Sequence, residues 1–541
     1  YVVSAEMKNG KLVDYSIEGV KAGDKVVVTC PTDPSFVQIP GEPAFRKPLP
    51  PGPFPDVLSA YVFRNWGLVA PDTLAETIGA QKTDITRIAV EMGLAPEPVV
   101  SPHWRDMGYV TILRRNWHLV PYFQLMRLVD KNRREMRYSI IEDDCLATKL
   151  GMPKPDCPRL VYSAAMEESG RARRIRLKEI LEEEGIQIND PDAAPAFGFL
   201  AEFGVESRSA TVADDPRFDL RMIYPFCMDY GDPLADDEVS SCPEGLVKDL
   251  AARGINAIWM HVVLSELATD PAYPEFGRDA PRRLANLRKL VERCGKHGVK
   301  VILYINEPRA QPAAFFEQPG RGDMRGSLDN HNGIAYCRCT RHPDTLRWLR
   351  DSLRGLFRDV PGLGGVFTIT MSENATHCGS QYASPDKITC PRCVGKPVHD
   401  LVVEVNKAIY EGVKAGDPAA HVIFYDTAWE LLEDPLRTVV PRLPKGGRLV
   451  AWSEKYLPFS QGGLDLKVNE YSISHPGPAA RAIGYWEAAK KAGLKADAKL
   501  QVNNSWEICA VPYLPAMDLV AEHAYNLSTS VVDGVMLSWS L

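Results

Sequence analysis

From Phe218 onward, short apolar runs alternate with longer stretches of helical period, and no other feature restricts the fold as much. The runs are Leu220–Phe226, Ala257–Val263, Lys300–Ile305, Gly365–Thr370, His421–Tyr425, Leu449–Trp452, Leu500–Asn503 and Val532–Ser538. Between them lie amphipathic stretches such as Glu244–Arg253, Ala280–His297, Pro343–Arg358, Val398–Ala415 and Pro478–Ala492. Strands joined by crossover helices pair in parallel, because a tight turn can only reverse the chain. Eight such units predict an α/β (β/α)8 TIM barrel over residues 218–541. An open doubly wound sheet would call for a Gly-rich phosphate turn after the first strand. Pro225-Phe-Cys-Met-Asp-Tyr-Gly231 is not one. The last run, Gly534-Val-Met-Leu-Ser-Trp-Ser-Leu541, stops with the chain, so the barrel reads as truncated at its C-terminal end.

Three regions precede it. Residues 1–55 read as a β-rich remnant and a linker, with a turn signal at Asn9-Gly10, a strand run Lys25–Cys30 and seven prolines between 40 and 56. Residues 56–165 contain a repeat: Arg64-Asn-Trp-Gly-Leu-Val69 returns as Arg115-Asn-Trp-His-Leu-Val120, and each copy leads into two short helices about a turn. That is a helix-turn-helix-like pattern. Read as DNA binding, it makes the protein a sugar-responsive regulator; read as packing, a small helical module. Packing is favoured, because Ile141-Glu-Asp-Asp-Cys145 puts carboxylates where phosphates would lie, and the net charge of -7 points the same way. Residues 166–217 read as a linker whose helix Glu167–Glu184 carries a basic and then an acidic run, expected to be a solvated face. No apolar run is long enough for a membrane span. The chain begins at Tyr1 without a leader, which leaves the compartment open, with the periplasm or the exterior slightly favoured.

In such barrels chemistry sits where strands end. Those positions carry Tyr224 and Asp229 after strand one, His261 after two, Glu307 after three, and Glu373-Asn374 after four. They continue with Trp429-Glu430 after five, Trp452 and Glu454 at six, Trp506-Glu507 after seven and Trp539 after eight. Five glutamates and four tryptophans at one mouth suit an oligosaccharide or glycan. Glycosidic cleavage needs two carboxylates, one protonated and one ionised, and indole faces pack on sugar rings. Glu373 is the candidate acid, ending a strong apolar run beside small and amide side chains. Glu507 is the preferred partner, on the view that strands four and seven face each other, followed by Glu454 and then Glu307. Tyr224, Asp229, His261, Glu307, Asn374, Trp429, Glu430, Trp452, Glu454, Trp506 and Trp539 are candidate substrate-binding residues. A barrel that binds carbohydrate without turning it over is the alternative.

Cys378 is followed by Cys390-Pro-Arg-Cys393, a spacing that could hold structural zinc with Cys337, Cys339 or His377 as fourth ligand. Otherwise these residues form a disulfide or free thiols. No cofactor is required by this chemistry.

The strand-four segment Gly365-Val-Phe-Thr-Ile-Thr-Met-Ser-Glu-Asn374, its downstream cysteines and the final Gly534–Leu541 run resemble bacterial glycoside hydrolases. These are distantly similar to β-N-acetylhexosaminidases and endo-β-N-acetylglucosaminidases. The Arg-Asn-Trp modules, with Glu142-Asp-Asp-Cys-Leu146, resemble the region that precedes such barrels. The resemblance implies a glycosidase for β-linked glycans, 2-acetamido sugars among them. In hexosaminidases an Asp before the acid orients the acetamido group; Ser372 stands there, which favours a direct carboxylate pair.

Overall fold

The structure is a computed structural model describing residues 2–8, 11–18, 47–142, 146–151, 154–186, 195–198, 201, 217–225, 228, 232–235, 242–329, 335–372, 374–380, 388–502 and 515–538. Two compact units emerge, Tyr1–Gly198 and Phe199–Leu541.

The first unit opens with an antiparallel hairpin, Val2–Lys8 against Lys11–Glu18. The expected strand Lys25–Cys30 lies outside the described residues. Six helices carry the two repeats: Val57–Asn65, Pro71–Ile78 and Lys82–Glu91, then Tyr109–Asn116, Tyr122–Leu128 and Arg133–Glu142. Local signals set their bounds. The Asp56 carboxylate caps the first helix by accepting from Ser59 N–H, and Gly79 ends the second in the left-handed region at φ 75°.

The repeated motif meets itself. Asn65 and Asn116, both fully buried, exchange amide hydrogen bonds of 2.8 and 2.6 Å, and each also donates to a carbonyl one turn back, Tyr61 O and Ile112 O. Around them Arg64 donates to Arg115 O at 3.2 Å and Arg115 to Arg64 O at 2.8 Å. A buried amide must find partners, and here each copy supplies the other's. Arg64 and Arg115, which open the two copies of the motif, thus hold them together.

The helix Ala164–Glu183 departs from the expected solvated face. Helical periodicity places Glu167, Gly170 and Arg174 on one side, and that side is buried. Arg174 is fully enclosed and reaches Glu91 at 2.8 Å, while Glu167 receives Arg87 at 2.5 and 2.8 Å.

The second unit is a closed parallel barrel. Its strands are Leu220–Ile223, Ala257–His261, Lys300–Ile305, Gly365–Thr368, His421–Tyr425, Arg448–Trp452, Lys495–Leu500 and Gly534–Leu537. They pair in chain order, and the eighth closes on the first through Gly534–Leu537 beside Leu220–Ile223. This is the (β/α)8 architecture. Helices Glu244–Ala252, Ala280–Gly295, Pro343–Asp359, Val398–Gly416, Ala480–Lys491 and Met517–Ser528 lie in six of the crossovers, and the short Pro435–Thr438 lies between strands five and six. Two of them approach unusually closely: a Cβ at Gly412 or Gly416 would lie 2.8 Å from Arg350 O or 2.7 Å from Arg354 O. Only glycine at this four-residue spacing allows that contact. Among the described residues no helix is long and apolar enough to cross a membrane.

Strand seven is the main correction. It runs Lys495–Leu500, five residues before the expected start at Leu500. The segment looked polar because Asp497 and Lys499 interrupt it, yet they are 2% and 0% exposed. Asp497 is met by Arg448 of strand six and Lys499 by Leu500 O and Gln501 at the end of its own strand, a compensation that periodicity does not reveal.

Candidate active site

The two ends of the barrel treat charge differently. At the N-terminal end Arg448, opening strand six, sits between Asp497 at 2.6 and 2.7 Å and Asp219 at 2.6 and 3.2 Å. Lys495 also pairs with Asp219, and Lys490 holds Asp533 at 2.6 Å. Every acid in this set has its cation. Such closed networks serve stability.

Between the ends the barrel is filled with rings. Tyr224 stacks on Trp259 with centroids 3.9 Å apart, and Trp259 meets Tyr304 and Phe367 edge-on at 5.6 Å. The series continues through Tyr425 and Trp452 to Tyr471, which lies 4.7 Å from Trp452. Tyr224 donates its hydroxyl to Met228 O at 2.7 Å, so it is part of this packing.

At the C-terminal end the groups are ionisable and enclosed. His261 closes strand two; burial pushes its imidazole down to about 4, against the pull of the Asp232 carboxylate. Glu307, 1% exposed, accepts from Leu264 N–H and Arg309 N–H, each at 2.7 Å, one to each oxygen. Burial raises its carboxyl to about 7, although those two amides and the Arg338 guanidinium favour the charged form. Asn374 donates to Asn306 at 3.1 Å and Asn306 to Ile369 O at 3.2 Å, tying the exits of strands three and four.

Past strand five, Asp426 is fully buried and 2.7 Å from Arg481, and burial raises its carboxyl. Arg481 also reaches Glu430 at 3.5 Å, and Glu430 is paired with Lys455, whose ammonium lies 3.9 Å from the centre of the Trp452 ring. Glu430 is therefore held by two cations. Trp429 is wholly buried and Trp452 is 5% exposed.

Past strand six, the Glu454 carboxylate accepts from Ser472 N–H at 3.1 Å and is fully enclosed. The Tyr425 and Tyr471 hydroxyls meet at 3.0 Å, and the Lys499 ammonium lies 4.8 Å from the centre of the Tyr471 ring. Lys499 donates to Gln501 at 3.2 Å and Leu500 O at 3.3 Å. Burial lowers its ammonium to about 7, opposed by the charge of Glu454. Beside it Ser453 and His523 are hydrogen-bonded at 2.7 Å, and burial brings His523 down to about 4.

Of the residues singled out from sequence, Glu454 and Trp452 come together, with Lys455 linking Trp452 to Glu430. Glu307, His261 and Asn374 lie at the neighbouring exits of strands two to four. Glu373, Glu507, Asp229, Trp506 and Trp539 lie outside the described residues. Two sequence assumptions about the catalytic pair change. In the closed ring strand four stands opposite strand eight, with seven one place short, and strand seven ends at Leu500, before the expected Asn503. Lys499, Tyr425 and Arg481 were missed; alternation of small and charged residues in Lys495-Ala-Asp-Ala-Lys-Leu500 was the available signal for the first.

The cysteines also converge. Cys339, Cys378, Cys390 and Cys393 are all buried, with their sulfurs within 4.8 Å of one another. Cys339 is the fourth member. Cys337 donates to His377 O at 3.3 Å, and His377 accepts from Gly379 N–H at 3.2 Å.

No family model and no curated protein matches this sequence. Among solved structures it is similar to a GH138 enzyme targeting pectin rhamnogalacturonan II, at 13% identity over 68% of this chain and 38% of that one, TM-score 0.38. It is also similar to a β-N-acetylhexosaminidase, at 15% identity over 60% of this chain and 67% of that one, TM-score 0.36. A third is a GH20 exo-β-N-acetylglucosaminidase from Vibrio harveyi, at 12% identity over 60% and 51% of the two chains, TM-score 0.36. The chain thus spans little more than a third of the first of these and about half of the last. All three are glycoside hydrolases.

Proposed function

We propose that this chain is a glycoside hydrolase that cleaves a β-linked glycan, N-acetylhexosamine among its candidate sugars, with Glu373 as acid/base and Glu507 as partner carboxylate. The observation that carries the reading is the asymmetry of the barrel. At its N-terminal end Arg448, Asp497 and Asp219 close an ion network, whereas at the C-terminal end burial brings both the Glu307 carboxyl and the Lys499 ammonium to about 7. Perturbed titratable groups grouped at strand ends are what acid–base chemistry uses.

In this mechanism Glu373 protonates the glycosidic oxygen, and the second carboxylate attacks the anomeric carbon or activates water. Asn374 and Asn306 are linked across the exits of strands three and four. Glu454, held by Ser472 N–H and faced by Lys499, supplies a further negative charge at the strand-six exit. Ser372 carries no carboxylate for an acetamido group, so the direct pair is preferred.

The engagement of Glu307 by two backbone amides and of Glu430 by two cations favours a second reading, a barrel that binds glycans without turnover. Aryl β-glycosides, including N-acetyl-β-glucosaminides, separate the two. Glu373→Gln is expected to lower kcat about 10²- to 10⁴-fold with the melting temperature preserved. An unchanged rate removes Glu373 from the mechanism, and oligosaccharide binding by a parent without turnover selects the second reading.

A further inference from the structure

We propose that Cys339, Cys378, Cys390 and Cys393 form a closed tetrathiolate site for one zinc-like divalent cation, which fastens the loop leaving strand four to the strand Ala335–Arg338. The four thiols come from three separate stretches of chain, and all are buried. Cys339 lies 3.5 Å from Cys390 and 3.7 Å from Cys393. A tetrahedron of sulfurs about 2.3 Å from a central zinc has edges of about 3.8 Å. A disulfide would require about 2.05 Å, and the described cysteines are all free. The spacing is therefore that of ligands around a common centre.

The surrounding chain is shaped for this. In Cys390-Pro-Arg-Cys393 the backbone curls so that Cys393 N–H and Val394 N–H both donate to Cys390 O, at 3.0 and 2.8 Å. Arg392 N–H faces the Cys390 sulfur, the kind of donor that steadies a thiolate. Cys378 is set by a tight loop in which Ser380 accepts from Thr376 N–H at 3.0 Å and His377 N–H at 2.9 Å. Gly326 leaves it room: a Cβ there would lie 2.6 Å from its sulfur. Of the two other nearby candidates, Cys337 donates to His377 O while also meeting the Cys378 thiol, and the His377 imidazole accepts from Gly379 N–H.

Four thiolates fill a tetrahedral cation and leave no position for water or substrate, so the role is structural. The loop held in this way begins directly after Glu373, yet the site does not depend on how that residue acts.

The full chain, expressed with zinc and purified under reducing conditions, is expected to retain one metal per chain by elemental analysis. Replacement by Co²⁺ is expected to give the thiolate-to-cobalt charge-transfer bands of a tetrahedral sulfur site. Cys337→Ser should keep both signals, whereas Cys339→Ser and Cys390→Ser should lose the bands. A parent that shows no bands at saturating Co²⁺, or a disulfide among the four in the unreduced chain, overturns the proposal. So does a Cys337→Ser variant that loses the bands completely. Should the ligand variants fail to fold, the parent and Cys337→Ser still decide the matter.

Discussion

Replacing Asn65 by alanine tests how the repeat assembles, and the expected cost can be worked from the structure. The change removes both amide bonds to Asn116, at 2.8 and 2.6 Å, and leaves the Asn116 carbonyl oxygen buried without its donor. Two net hydrogen bonds contribute about 2 kcal/mol and an orphaned buried acceptor costs about 1–3 kcal/mol, so the unit should lose about 3–5 kcal/mol. Asn116→Ala should cost the same, because the exchange is reciprocal. The double variant removes both amides together and orphans neither. Its cost should be no larger than that of one single change, at least about 3 kcal/mol short of the sum. Hydrogen exchange of backbone amides between 57 and 142 measures this locally, without assuming that the whole chain unfolds in one step. Costs that add to within about 0.5 kcal/mol would mean that the two asparagines are energetically independent, and the reasoning fails.

Two further outcomes are expected. Arg448→Met leaves Asp497, 2% exposed, without its cation; the urea midpoint should fall by the equivalent of about 3–5 kcal/mol, and a loss below about 1 kcal/mol would contradict the network. Lys499 titrates near 7 in the folded chain against an ordinary 10.5, so between these values the unfolded chain binds a proton that the native one does not. Its contribution to stability therefore rises with pH across that window and is least below about 7. Lys499→Met should flatten the parent's rise in urea midpoint between pH 7.5 and 10, roughly the upper part of that window. Parallel profiles for parent and variant would refute the burial of that charge.

The candidate site was legible in part. His261, Glu454 and Trp452 could be placed at strand ends because apolar runs of four to six residues mark where strands stop. Glu307 was placed correctly, but its hold by Leu264 and Arg309 N–H depends on how the strand-three exit folds back. Lys499 was passed over, because a lysine in a short polar segment reads as surface until its partner is known. The cysteine spacing gave three members of the cluster and left the fourth among three choices; the approach of Cys339 to Cys390 settled it.

The barrel was determined by sequence alone, since eight apolar runs separated by amphipathic helices admit few other arrangements, and patterns of that kind are local. What the tertiary structure decided are the pairings between residues far apart in the chain. Arg448 meets Asp219 across 229 positions, and Asn65 meets Asn116 across 51. A charge or an amide shows its type in the sequence, but whether it is a surface group or a buried half of a pair depends on a partner that only the closed fold brings near.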